Sequence, residues 1–481
     1  MNLPINQLIQ QPEGKQLEFK RDLSSPQPIM KTLTAFANTA GGRLIIGVTD
    51  TGEVIGVEHP LDEEERLCSM IADSIAPHLV PNIELATVEN KTLLVVEVFL
   101  SGTRPHWLKS VGQERGCFVR LGSSNRQADV QLIAELQRSV EGVSFDETPM
   151  TDLSVDDLDL VAAQQAFGEI RRLDEQSLLT LKLLSPHQGK LVPTKGAILL
   201  FGKQRTMHFS DAWIQCGRFF GTKKIDIFDH IDITHPLPNA VDEVMLFLKK
   251  HALRGADLSE VRRKDVWSIP LGILREVVVN ALVHSDYSQR GAPVRVTFLD
   301  DRIEVESMGI LLPGLTIEEM KQGTSRIRNH VIARAFRELH LIEQWGTGVR
   351  RIFEEAKEQG LPEPNIEEVG MRVRFTVYLE ESHVIASTQS GVESPTQQVT
   401  QQVTQQVTQQ VTQQVKLLVG VIKGDMSRSE LMQAVKLKDR VSFSKNCLEP
   451  ALAMGLIEMT QPESPRSPTQ KYRLTGKVTN L

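Results

Sequence analysis

Cysteine is scarce in this 481-residue chain. The four present (Cys68, Cys117, Cys216, Cys447) are far apart, with no C-x-x-C and no histidine cluster beside them. A disulfide scaffold or structural zinc site is therefore not expected, and a reducing cytoplasm fits best. Long hydrophobic runs are missing too: none approaches the roughly 18–20 residues that span a bilayer, so no membrane partner is expected. The opening MNLPINQLIQQPEGKQLEFK lacks the basic-then-apolar build of a signal peptide. No G-x-x-x-x-G-K-[ST] occurs, which excludes a P-loop nucleotide site. Aromatics make up only 5%, yet 40% hydrophobic residues with 24% charged ones support packed cores and exclude wholesale disorder. At roughly 100–200 residues per domain, the length implies three or four domains.

Positive charge is also in deficit: 54 Lys and Arg stand against 61 Asp and Glu, a net of −7. That argues against a surface that coats nucleic acid everywhere, but not against one basic face. The tract VTQQVTQQVTQQVTQQV (Val399 to Val415) divides the charge unevenly. Its period of four drifts about 40° per repeat on a helix, and Val and Thr disfavour helix, so it reads as a low-complexity linker. A self-associating valine stripe, and with it a homo-oligomer, is the other reading. Beyond the tract, the last 66 residues hold eleven Lys and Arg against six Asp and Glu. That tail is +5, and the rest of the chain is −12.

A softer boundary is the acidic stretch Glu141 to Asp159. Before it, Gly42 to Asp50 and Thr92 to Leu100 read as buried strands, and Pro28 to Thr39 and Glu64 to Ala76 as helices. After it, Ala197 to Phe201 is strand-like and Val241 to Leu253 helix-like. The expected domains are 1–140, 150–265, 266–385, a linker over 386–415, and 416–481.

The segment PLGILREVVVNALVHSDYS (Pro270 to Ser288) reads as a buried helix with Pro270 at its start. Glu276, Asn280 and His284 are spaced i, i+4, i+8 and share one face. Such a face is either solvated or paired with a neighbouring loop, or it is a ligand site. For a ligand, an Asn carbonyl suits Mg²⁺ and a Glu can polarise a water. Pro293 to Ser307 then reads as a hairpin turning at Asp300-Asp301, running into the Gly-containing loop MGILLPGL. In EQWGTGVRRI, Gly346 and Gly348 precede a helical run whose amides could approach a phosphate.

In that order these elements resemble the nucleotide-binding domain of the GHKL superfamily (gyrase, Hsp90, histidine kinase and MutL relatives), over roughly Pro270 to Leu379. The nearest likeness is its divergent branch in bacterial transcriptional regulators. The resemblance implies ATP with Mg²⁺ as cofactors, Asn280 on the metal and Glu276 as the candidate base of a weak ATPase. It also implies Gly346-Thr347-Gly348 as the phosphate-covering motif, with His284, Gly309, Ser325, Arg326 and Asn329 near the nucleotide. One departure stands out: the superfamily's D-x-G, whose Asp takes the adenine amino group, is here Ser307-Met308-Gly309, and Glu306 is one residue out of register.

At the N-terminus, EGKQLEFKRDL followed by AFANTAGGRLIIGVTDTGEVIGV closely resembles a Schlafen-type AlbA domain, over roughly Pro12 to Arg126. The resemblance implies nucleic-acid binding, with Lys20, Arg21, Arg43, Arg120 and Arg126 as phosphate contacts. Glu13 and Glu18 match the spacing of the carboxylate cluster of the animal Schlafens that cut RNA, with Asp50 as the candidate third member. A metal-dependent nuclease, serving phage defence, is thus the alternative reading. In the tail, Ser427 to Thr460 reads as two helices with a capping box at Ser427-x-x-Glu430, followed by a β-prone stretch. This resembles a winged helix, with Arg440, Ser442, Ser444, Lys445 and Asn446 on the recognition helix. The whole is an α/β (α+β) multidomain chain: an AlbA-like domain, a GHKL (Bergerat-type) α/β sandwich and a winged helix. The expected function is that of a DNA-binding regulator, RNA being the other candidate partner, whose central domain modulates nucleic-acid binding.

Overall fold

The computed structural model describes residues 4–252, 254–257, 264–342 and 348–379, and within the tail 418, 421–422, 424–434, 443, 448, 451–452, 457–461 and 470–475. Two compact units result, Met1–Ser387 and Thr388–Leu481. Among the described residues no helix is long and apolar enough to cross a membrane.

The first unit opens with β1 (Leu17–Lys20), α1 (Pro26–Asn38), β2 (Gly42–Ile46), α2 (Pro60–Ser74), β3 (Asn82–Val88) and β4 (Lys91–Val98). Its four strands form a sheet in the order β1-β2-β4-β3, parallel between β1 and β2 and antiparallel elsewhere. A hairpin, β5 (Phe118–Leu121) with β6 (Ser124–Gln127), and the helix α3 (Val130–Glu141) complete the region. The strands and helices expected here all form. The residues of A-F-A-N-T serve the fold itself. Asn38 is fully buried; its amide donates to the carbonyls of His106 and Phe118 (both 2.9 Å), and its oxygen accepts from the His106 N–H (2.7 Å).

The run Ala197 to Phe201 was expected as a strand and instead belongs to the helix α4 (Lys195–Phe201). Thr194 caps it by accepting from the Ala197 N–H, and every residue from Gly196 to Phe201 is buried. An apolar run buried on all sides has no period by which strand and helix can be told apart. Next come β7 (Ile214–Phe219), β8 (Ile227–Ile233), α5 (Leu237–His251) and α6 (Leu271–His284). They are followed by β9 (Val294–Phe298), β10 (Arg302–Met308), α7 (His330–Glu338), α8 (Gly348–Glu358), β11 (Asn365–Val369) and β12 (Arg372–Tyr378). The hairpin about Asp300-Asp301 forms as expected.

These strands make one six-stranded sheet, β8-β7-β9-β10-β12-β11, with β7 and β9 parallel. One continuous apolar core runs from Leu158 to Leu379 beneath it. The segment placed by composition in a connecting domain thus supplies two strands of the central sheet. The acidic stretch before it contributes Asp146, whose carboxylate accepts from the N–H groups of Val331 and Ile332 (2.7 and 2.9 Å) and so caps α7.

In the second unit, β13 (Met426–Ser427), α9 (Arg428–Ala434), β14 (Ile457–Met459) and β15 (Lys471–Leu474) surround a core that includes Leu431, Phe443, Ile457 and Tyr472. The strand order is β13-β15-β14, antiparallel throughout. The capping box is present: the Ser427 N–H donates to Glu430 (2.7 Å) and the Glu430 N–H to Ser427 Oγ (3.4 Å). The VTQQ tract and Arg440, Ser442, Ser444, Lys445 and Asn446 lie outside the described residues.

Replacing Asn38 with alanine strands two carbonyls and one N–H in the interior. The expected loss is about 2 kcal/mol or more, read as a lower denaturant midpoint for the N-terminal region.

Candidate functional site

A cavity of about 470 Å³ opens between α6 and the central sheet. Glu276, Asn280 and His284 all line it, as their helical spacing requires. Val305 and Ser307 of β10, Ile366 of β11, and Val373 and Phe375 of β12 form its floor. Loop residues Leu311, Leu312 and Leu315 supply an apolar wall; Ser325, Arg326, Arg337 and Gly348 complete the lining.

Alternation along β10 decides which acid can enter. Ile303, Val305 and Ser307 share the core face, so Glu304 and Glu306 point to the opposite one. There Glu306 meets Lys224 (3.0 Å) and Arg374 (2.8 Å). Although burial works against it, hydrogen bonding to those cations holds its carboxyl below the usual carboxylate range. Glu306 therefore cannot stand in for the missing Asp, and Ser307 is the β10 polar side chain facing the cavity.

Glu276 is buried, receives the Asn280 amide (3.3 Å) and lies 3.8 Å from Arg351 on α8. A Cβ on Gly348 would fall 1.9 Å from Glu276 Oε1, so any side chain at the start of α8 would require this carboxylate to swing aside. Gly346 and Thr347 lie outside the described residues. Burial pushes the His284 imidazole down to about 4, with Arg328 adding to the effect, so it is neutral at pH 7. Asn329 and Gly309 lie beside the cavity rather than in its lining. The Asn329 amide donates to the carbonyls of Val283 and Ser285 (2.8 and 2.7 Å), tying off the end of α6.

Arg328 was passed over in the sequence, and it organises this corner. Its buried guanidinium donates to the carbonyls of His284 (3.0 Å) and Ile310 and pairs with Glu135 of α3 (2.8 Å). Gly309, at φ +100°, leaves it the space; a Cβ there would lie 1.9 Å from the guanidinium. Three further contacts fasten the cavity wall to the N-terminal region. Ile310 packs in a cluster with Cys117, Val119 and Leu132. The Gly314 N–H donates to the Thr39 carbonyl (2.6 Å). Glu368 accepts from the Leu311 N–H (2.8 Å) and pairs with Lys15 (2.7 Å).

The N-terminal carboxylates do not converge. Glu13 accepts from the Phe19 N–H (2.8 Å), Asp50 lies in an exposed turn, and buried Glu18 is taken by Lys20 (2.5 Å) and Arg120. Among the described residues no group of three His, Cys, Asp or Glu side chains could hold a metal ion. Arg120 is wholly interior: it donates to the Gly14 carbonyl (3.0 Å) and Asn125 (3.0 Å) and covers the Phe36 ring. Arg43 pairs across the sheet with Glu97 (2.8 Å). Arg21 and Arg126 are exposed, and Lys20 is half-buried.

Three family models match the chain. Residues 13–129 match "Schlafen, AlbA_2" and residues 291–379 match "Putative ATP-dependent DNA helicase recG C-terminal". Residues 413–475 match "Filamentation induced by cAMP protein Fic-like, C-terminal domain". The N-terminal region is thus similar to Schlafen AlbA domains and the central region to an ATPase-like domain. No curated protein matches it. Among solved structures it is similar to the DIP2311 protein from Corynebacterium diphtheriae (19% identity over 96% of this chain and 95% of that one, TM-score 0.40). It is also similar to the N-terminal domain of a RecG-related protein from Nitrosomonas europaea (30% identity, 26% and 90%, TM-score 0.21). A third likeness is to a Fic family protein from Desulfovibrio desulfuricans G20 (16% identity, 73% and 77%, TM-score 0.14).

Two outcomes are expected. Burial raises the Glu135 carboxyl from 4.5 to about 7; Arg328 opposes the shift and Asp286 adds to it. A carboxyl raised on folding contributes most below its unfolded value and loses that contribution as pH climbs through about 7. Glu135→Gln should therefore flatten the fall in unfolding temperature between about pH 4.5 and 7. Gly348→Ala should push the Glu276 carboxylate aside and break its contact with Asn280, lowering stability by about 0.5–1.5 kcal/mol, read by thermal melting.

Proposed function

We infer that the chain binds nucleotide and nucleic acid, a reading supported by its AlbA and ATPase-like matches. We propose that it is a DNA-binding transcriptional regulator whose GHKL-type domain binds ATP with Mg²⁺ and thereby modulates nucleic-acid binding by the outer domains. The carrying observation is the convergence of Glu276, Asn280, His284, Ser307 and Gly348 on one cavity whose wall is fastened to the N-terminal region.

The lining fits such a ligand. Val305, Ile366, Val373 and Phe375 offer an apolar floor for a base, and Arg326 and Arg337 offer charge for phosphates. With its nitrogen donating to Glu276, the Asn280 amide would have its oxygen left to hold Mg²⁺. When bound, the metal would neutralise phosphate charge and orient a water beside Glu276, the candidate base. Closure is the task of α8: Glu276 must exchange its contacts with Arg351 for the ligand, which loosens or draws in the start of that helix. Movement of the Leu311–Leu315 wall would reach the N-terminal domain through Gly314 and Thr39 and through Arg328 and Glu135. A ligand preferring one position of that wall shifts the population of N-terminal states by its differential affinity. Arg21 and Arg126 are the exposed phosphate contacts of that domain. The tail is proposed to act as a winged helix, supported by its +5 charge and by the capped helix with a three-stranded sheet.

Titration with a fluorescent ATP analogue and Mg²⁺ should saturate, and Asn280→Ala should weaken binding about tenfold or more. No binding at millimolar ligand would reject the proposal. Ser307→Asp should tighten ATP over GTP, because a carboxylate accepts from the 6-amino group of adenine and repels the 6-oxo group of guanine.

A further inference from the structure

Strand β8 ends the six-stranded sheet, and among the described residues no ladder covers its outer edge. Around it Phe220, Ile225, Ile227, Phe228 and Ile231 are exposed, Ile225 by 73% and Phe228 by 58%. The Phe220 and Phe228 rings pack on each other at 4.8 Å, and Phe228 meets the edge of the His251 ring at 5.9 Å, so the patch is ordered by its own contacts. Edge strands are ordinarily guarded by lysine, proline or a central bulge. The β8 sequence IFDHIDI contains neither residue, and its pairing irregularity falls at the far end, opposite Arg218/Phe219.

We propose that β8 is the seam of a two-fold dimer of this chain, pairing antiparallel with its own copy about Ile231. The register follows from charge. An axis at Asp229 sets that carboxylate against itself, and one at His230 sets Asp232 against Phe228 and Asp229 against Ile231. An axis at Ile231 sets that side chain on its copy and His230 opposite Asp232 twice, one imidazole–carboxylate pair on either side of the axis. Residues opposite each other share a face, so both pairs lie on the face that carries Gly217 and Gln215 of β7, where the Phe219 and Ile227 side chains lean over Gly217. A second copy thus completes the backbone ladder and covers apolar surface while meeting its own acids with histidines.

Sedimentation equilibrium of the full chain should show a monomer–dimer equilibrium in the low micromolar range. Ile231→Lys places two ammonium groups on the axis and should raise the dissociation constant about tenfold or more. Ile231 is already exposed, so the variant should keep its unfolding temperature. His230→Asp should weaken the dimer as well, and adding Asp232→His should restore it. A chain monomeric up to about 100 µM, a dimer indifferent to Ile231→Lys, or a charge swap without rescue would each overturn the proposal.

Discussion

Much of the central architecture turns on the ion pair between Arg328 and Glu135, both buried, at the meeting of the N-terminal region and the cavity wall. Removing two charges from water is costly, and the cost is offset only when the remaining donors find partners. Arg328 meets that condition with the carbonyls of His284 and Ile310, the groups that end α6 and begin the cavity wall. Gly309 is required because the guanidinium occupies the place of a side chain. Removing Arg328 would strand the His284 and Ile310 carbonyls and take the guanidinium from Glu135, so one side chain ties α3, α6 and the wall loop together.

The cavity inherits its chemistry from that arrangement. Helix α6 presents an acid, an amide and a neutral imidazole in register, and the sheet beneath presents valine, isoleucine and phenylalanine with one serine. The polar residues of β10 that might have altered this are turned outward, where Lys224, Arg302 and Arg374 neutralise them. A mostly apolar cavity with arginines in its lining follows.

Periodicity made much of this legible beforehand. The i, i+4, i+8 spacing of Glu276, Asn280 and His284 is a property of any helix, and so survives whatever packs against it. The hairpin at Asp300-Asp301 and the capping box at Ser427 were equally readable, because turns and caps are settled by near neighbours. Arg328 was not readable. In TSRIRN it is one arginine among two, and its partner Glu135 looks like a surface residue on an amphipathic helix. Arg120 misled for the same reason: nothing local tells a phosphate-binding arginine from one stapling β1 to a hairpin. The helix at 195–201 escaped because a fully buried run has no polar face to mark its period.

The sequence by itself determined the local elements, the module order and the charge division between an acidic body and a basic tail, because each depends on composition or on residues within a few turns. Tertiary structure alone decided which charges are surface and which are structure. It buried Arg120 and Arg328, separated Glu13, Glu18 and Asp50, turned Glu306 away from the cavity and Ser307 toward it, and merged the middle segment into the central sheet. Burial is a sum over distant neighbours, and pairing between residues remote in the chain leaves no trace in local pattern.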